Sequence, residues 1–136
     1  MESKRVYEID GVRFTTLEGF YDEFSRVLIP GVFWGHNLNA FNDILRGGFG
    51  TPENGFVLRW TNSELSRQRL GFPETVKQLE NRLQECHPSA QVYVARELAL
   101  AQSGIGPTVF DWLVEIIEVH TPGGDESQDN VELILC

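Results

Sequence analysis

Three short segments with strand character, around residues 5–9, 55–60 and 131–135, are separated by long stretches of helical periodicity, and this order constrains the fold most. Strands joined through helices pair in parallel, because a parallel pair needs a long crossover and such crossovers are right-handed. Arg5-Val6-Tyr7-Glu8-Ile9 alternates polar and apolar side chains before an Asp10-Gly11 turn. Gly55-Phe56-Val57-Leu58-Arg59-Trp60 reads as mostly buried on both faces, which suits a central strand. Val131-Glu132-Leu133-Ile134-Leu135 is the third. The expectation is an α/β fold: a small three-stranded parallel sheet packed by helices.

The helices follow from spacing. Thr15 stands three residues before Glu18 in capping-box order, and Leu17, Phe20, Tyr21, Phe24, Val27 and Leu28 then share one helical face until Pro30-Gly31 breaks it. Asn37 caps a short helix whose Leu38, Phe41 and Leu45 turn inward, so that Asn39, Asn42, Asp43 and Arg46 are expected outward. Asn62 or Ser63 caps a brief helix to Leu70, stopped by Gly71. Pro73 opens the next, with Val76, Leu79, Leu83 and Cys86 on one face, and another covers about 90–102. Thr108 caps a strongly apolar helix carrying Val109, Trp112, Leu113, Ile116, Ile117 and His120 on one side and Asp111, Glu115 and Glu118 on the other.

Charge narrows the partners. The chain of 136 residues carries a net charge of −9, and residues 108–136 hold seven carboxylates and no Lys or Arg. A field of one sign favours encounter with a basic protein surface and repels nucleic acid and anionic lipid. No apolar run approaches the ~20 residues that span a bilayer, and no signal-peptide pattern follows Met1, so a cytoplasmic protein without membrane contact is expected. Cys86 and Cys136 have no ligand spacing and read as reduced thiols. The length suits a single domain, 1–136, and a monomer is favoured.

Signals for catalysis are weak. Cys86-His87 are neighbours and cannot face each other, and His36, His87 and His120 show no metal-ligand spacing. His120 is expected to cap the C-terminus of its helix, where a cation meets the negative end of the dipole. Gly47-Gly48-Phe49-Gly50 precedes a strand rather than opening a helix, so it is no phosphate cradle. No cofactor, metal or catalytic residue is assigned, although Asp111 and Glu115 would be the acids of a metal-dependent hydrolase if the chain were one. The stronger constellation is the aromatic loop Phe33-Trp34-Gly35-His36 feeding the helix that carries Asp43. Aromatic area beside a rigidly held acid is what a protein-binding hot spot needs, while such aromatics are more often core; spacing alone leaves both open.

The pattern Trp34-Gly35-x-Asn37-Leu38-x-Ala40-x-x-Asp43-x-Leu45 resembles the central signature of the barstar family, cytoplasmic inhibitors of the ribonuclease barnase. Tyr7-x-Ile9-Asp10-Gly11 is similar to that family's first strand, Val57-Leu58-Arg59-Trp60 to its second, and 108–118 and 131–135 to its last helix and strand. The resemblance implies a barstar-like fold without catalytic activity, whose loop and second helix plug a ribonuclease active site. Asp43 matches the acid that occupies the phosphate position there, and Glu115 a peripheral acidic contact.

Departures from the pattern bear on the partner. Asn39 and Asn42 stand where the family carries an acid and a Trp, Phe33 lacks a tyrosine hydroxyl, and Arg46 adds a positive charge. The implied contact set is Phe33, Trp34, His36, Asn37, Asn39, Asn42, Asp43, Arg46 and Glu115, toward a basic ribonuclease or related toxin other than barnase. Residues 67–105 look like a helical insertion between core segments 1–66 and 106–136, with charges balanced to within one unit. A non-inhibitory adaptor on the same fold is the alternative.

Overall fold

The computed structural model describes residues 4–47, 50–52 and 54–136; Gly48 and Phe49 of the glycine-rich turn lie outside these. Strand β1 (Val6–Asp10) leads through a 3-10 turn at Gly11–Arg13 into α1 (Leu17–Leu28), followed by α2 (Leu38–Ile44) and β2 (Val57–Thr61). Helices α3 (Ser63–Arg69), α4 (Phe72–Glu85), α5 (Gln91–Gln102) and α6 (Val109–Val119) precede β3 (Glu132–Leu135). The sheet is parallel in the order β1-β2-β3, with Tyr7 against Leu58 and Leu58 against Leu133. Among the described residues the α/β fold has three parallel strands and six helices, as the sequence order requires.

One face of the sheet is covered. Ile9, Leu58 and Trp60 are completely buried, while Val6, Arg59 and Ile134 on the other face are exposed. The expectation that β2 is buried on both faces is thereby corrected: its residues alternate, and Arg59 sits outward beside Glu8 at 3.8 Å. The apolar run misleads because Phe56, just before the strand, is also fully buried and continues the pattern.

Capping is corrected at two helices. Thr16, not Thr15, caps α1, its hydroxyl accepting from the Gly19 amide at 3.0 Å, and Glu18 instead accepts from Gln78 of α4. Asn62 precedes α3 in a left-handed conformation (φ 54°) and donates to Asp10 Oδ1 at 2.8 Å without capping the helix. The turn after β1 fits tightly here: a Cβ on Gly11 would lie 2.3 Å from Ser66 Oγ and 2.5 Å from the Asn62 carbonyl oxygen, so glycine is required.

The core is aromatic. Trp60 packs its ring 5.1 Å from both Phe20 and Phe110 and donates its indole N–H to Ser66 Oγ at 2.9 Å. Phe41 of α2 meets Phe20 and Phe24 of α1 edge-on at 5.3 and 5.1 Å, an arrangement that adds to area burial. A second cluster, built on Leu79, Val94 and Ala101, joins α4 to α5, and Trp112 of α6 packs against both clusters. Two buried polar anchors fix α4: Glu74 Oε2 accepts from the Leu17 amide at 2.8 Å and Thr75 Oγ1 from the Val109 amide at 2.9 Å. Cys86 and Cys136 are free thiols, and among the described residues no helix is long and apolar enough to cross a membrane.

Candidate functional site

The loop between α1 and α2 is shaped by its own side chains. Gly31 (φ 80°), Gly35 (φ 86°) and His36 (φ 43°) take left-handed backbone, which turns the chain sharply around Trp34. Trp34 faces inward at 6% exposure, stacking edge-on against Tyr21 at 5.2 Å and donating its indole N–H to Ser25 Oγ at 2.5 Å. Of the candidate partner contacts it is one that lies mostly inward, a core residue that anchors the loop. Its neighbour Phe33 is thrown outward and is 91% exposed. An exposed ring of this size is what an interface anchor looks like.

His36 lies over this anchor, its ring 4.6 Å from Trp34, with Nε2 3.5 Å from Ser25 Oγ and Nδ1 3.9 Å from Asp22. Asn37 spends its amide locally: Oδ1 accepts from the Ala40 amide at 2.8 Å, capping α2, and Nδ2 donates to the Gly35 carbonyl. Asn37 therefore aims the helix, and its exposed amide keeps one N–H and one lone pair beyond these two bonds.

Helix α2 buries Phe41 and Ile44 and exposes Asn39 and Asp43. The Asp43 side chain is 57% exposed, and Arg46 Nη1 stands 3.9 Å away, too far for a strong pair. Arg46 is held instead by Glu126 at 2.5 Å. Asn42 differs from expectation. It is half-buried, and its Oδ1 lies 2.7 Å from Nε2 of the fully buried His120, so it does not share the outward side with Asn39 and Asp43. The seven-residue helix is short enough that its two flanks meet different neighbours, and α6 runs beside the Asn42 flank.

His120 thus does more than end α6. Its Nδ1 meets Asp129 Oδ2 at 2.6 Å and Glu126 Oε2 at 3.5 Å, while Nε2 meets Asn42. The acidic loop after α6 is folded back by this ring and by Arg46, and it clamps α2 in place. Nothing in local spacing signals a bond between residues 78 positions apart. His120, Glu126 and Asp129 have ligand atoms close enough together to hold a metal ion. Arg46 and the imidazole N–H already meet those carboxylates, so the cluster is satisfied by the chain's own groups.

Glu115 is exposed on α6 and lines a cleft of about 450 Å³ with Leu38 and Asn42 of α2, which brings it beside the loop-and-helix surface. Asp111 does not pair with it. Asp111 completes a capping box, Oδ2 accepting from the Thr108 amide at 2.9 Å and from the Thr108 hydroxyl at 3.1 Å. Of the two acids that a hydrolase reading would use, Asp111 is engaged at the helix end.

Elsewhere, burial pushes the Glu23 carboxyl up, but hydrogen bonds from Arg26 and the Asp10 amide, with the charges of Arg26 and Arg13, outweigh it and hold the group below its ordinary range. This network fastens the end of β1 to α1, which carries the loop.

Among curated proteins, none matches the chain. A family model described as Barstar (barnase inhibitor) matches residues 4–101, a stretch that contains the loop, α2 and the signature from Trp34 to Leu45. Helix α6 with Glu115, and β3, follow the matched stretch. The match takes in well over half of the 136 residues, and the chain belongs to the barstar family.

Proposed function

We propose that this chain is a cytoplasmic, monomeric, single-domain inhibitor that occludes the active site of a basic ribonuclease, with Asp43 standing in for a substrate phosphate. The observation that carries the reading is the Asp43 carboxylate, presented outward on a helix whose other flank is clamped to the core. A carboxylate accepts hydrogen bonds only, and among the Arg, Lys and His groups of a ribonuclease site each of those bonds strengthens as water leaves. Phe33 supplies exposed ring area on the loop that leads into this helix, Asn39 an amide one turn before Asp43, and Glu115 an exposed acid on α6. The net charge of −9 speeds encounter with a cationic enzyme and loses effect with salt over a screening length of about 8 Å.

Relative to the family pattern this surface has one acid fewer and no tyrosine hydroxyl at Phe33, which favours a basic ribonuclease other than barnase. The test is titration of the chain into RNA cleavage by barnase and a set of secreted basic ribonucleases. One of them is stopped at near-equimolar inhibitor, and Asp43→Ala raises the required concentration steeply. For a desolvated charge pair, as measured for barnase and barstar among others, losing one partner costs about 2–5 kcal/mol. Equal inhibition by wild type and Asp43→Ala would refute the phosphate role.

A second reading, an adaptor, draws on α5, where Val92 and Tyr93 are 69% and 68% exposed. It requires that charge-bearing substitutions at these two positions abolish partner capture while Asp43→Ala leaves it intact.

A further inference from the structure

A groove of about 540 Å³ runs between the loop-and-helix surface and α4, lined on one wall by His36 and Asn39, on the other by Asn81 and Arg82, and floored by Tyr21. Tyr21 is 2% exposed, yet among the described residues its hydroxyl meets no hydrogen-bond partner. Among the described residues no side-chain oxygen or nitrogen cut off from solvent lacks a partner, so this hydroxyl opens onto the groove floor, where its hydrogen bonds go to solvent or to whatever fills the groove.

We propose that this groove receives a surface loop of the same ribonuclease, engaged through its peptide backbone, with the Tyr21 hydroxyl donating to a main-chain carbonyl and Asn39 and Asn81 bracketing the adjacent peptide groups. The inference rests on the inhibitory reading above and extends it, because it makes α4, in the stretch that looks inserted, the second wall of the interface.

The chemistry of the lining selects this occupant. Peptide groups present one donor and one acceptor each, and a side-chain amide offers both. Asn39 and Asn81 are exposed amides on facing walls, and neither makes a hydrogen bond among the described residues. Fixed charge is nearly balanced, with Glu18 and Glu85 against Arg82, so the groove selects neither the phosphate-like anion that Asp43 mimics nor a strong cation. Burial, with the charge of Glu18, drives the Tyr21 phenol far above its ordinary range against the pull of Arg82, so the hydroxyl stays a donor. The groove is continuous with the proposed inhibitory surface, since Asn37 and Asn39 line it and belong to the loop and helix that carry Asp43.

The experiment measures the dissociation constant for the ribonuclease bound tightest in the set above, using the full chain and the variants Tyr21→Phe, Asn81→Trp and Asp43→Ala. Tyr21→Phe binds about tenfold more weakly while its melting temperature is unchanged or higher, because the hydroxyl has no internal bond to lose. Asn81→Trp, at an exposed helix position, fills the groove and weakens binding by more than tenfold with the fold intact. Both variants binding like wild type, while Asp43→Ala fails, would overturn the groove and leave the inhibitory reading standing. Loss in Tyr21→Phe with none in Asn81→Trp would place the hydroxyl's partner outside the groove and also overturn it, as would a markedly lower melting temperature in Tyr21→Phe. Full inhibition by Asp43→Ala, or binding to none of the ribonucleases, would bring down both readings.

Discussion

Replacing Asn42 with alanine separates a structural residue from a contact residue. In the structure its Oδ1 satisfies Nε2 of His120, which has no solvent access and whose other ring nitrogen is held by Asp129. Truncation leaves one buried ring nitrogen without a partner, a loss of about 2 kcal/mol within the ~1–3 kcal/mol range for such groups. For a domain of this length each kcal/mol moves the melting temperature by about 4 °C, so Asn42→Ala melts about 8 °C lower. Thermal unfolding by circular dichroism, with urea denaturation to confirm that the midpoint and not the slope changes, measures this directly. Asn42→Asp keeps an acceptor facing the ring and melts close to wild type; Asn42→Leu keeps bulk without an acceptor and melts like the alanine variant. A melting temperature for Asn42→Ala within 1–2 °C of wild type would refute the clamp and return Asn42 to the outward side.

Three further outcomes follow from named contacts. Glu23 has a folded-state pKa below its unfolded value, so its stabilisation is complete above about pH 5 and lost as pH falls through the folded pKa. Glu23→Gln therefore costs about 1–2 kcal/mol at pH 7, discounted because Arg13 and Arg26 are half exposed, and flattens the fall in urea midpoint between pH 5 and 3; an unchanged slope would contradict the network. Thr16→Ala lowers stability by about 1 kcal/mol through loss of the α1 cap, whereas Thr15→Ala changes it by a few tenths, and equal effects in thermal melts would contradict the assignment. Arg46→Ala, losing only a surface pair, costs under about 1 kcal/mol, yet speeds association with a basic ribonuclease at low salt by removing a cation beside Asp43; slower association in stopped-flow mixing would contradict that placement.

What was legible in the sequence is what periodicity controls. The order of strands and helices, the Thr108 and Asn37 caps and the inward side of α1 all follow from local spacing, and the structure has them. Residues that answer to distant neighbours were not legible. Asn42 turns to His120 across 78 positions, and Asp111 looks like an outward acid until its bonds to Thr108 are seen. Phe33 and Trp34 are adjacent aromatics with the same pattern value, and only the left-handed turns at Gly31 and Gly35 decide which is core and which is surface. The Tyr21 hydroxyl is hidden in sequence because its ring fits the core face of α1 as well as a phenylalanine would.

Inhibition is proposed to turn on one group, the Asp43 carboxylate in a phosphate position. The most direct measurement is competition: the dissociation constant for an inhibited ribonuclease is determined at rising concentrations of a nucleoside monophosphate that occupies the enzyme's phosphate site. The account predicts that the apparent constant climbs in proportion to nucleotide. A ternary complex in which nucleotide and inhibitor bind together, neither weakening the other, would contradict it.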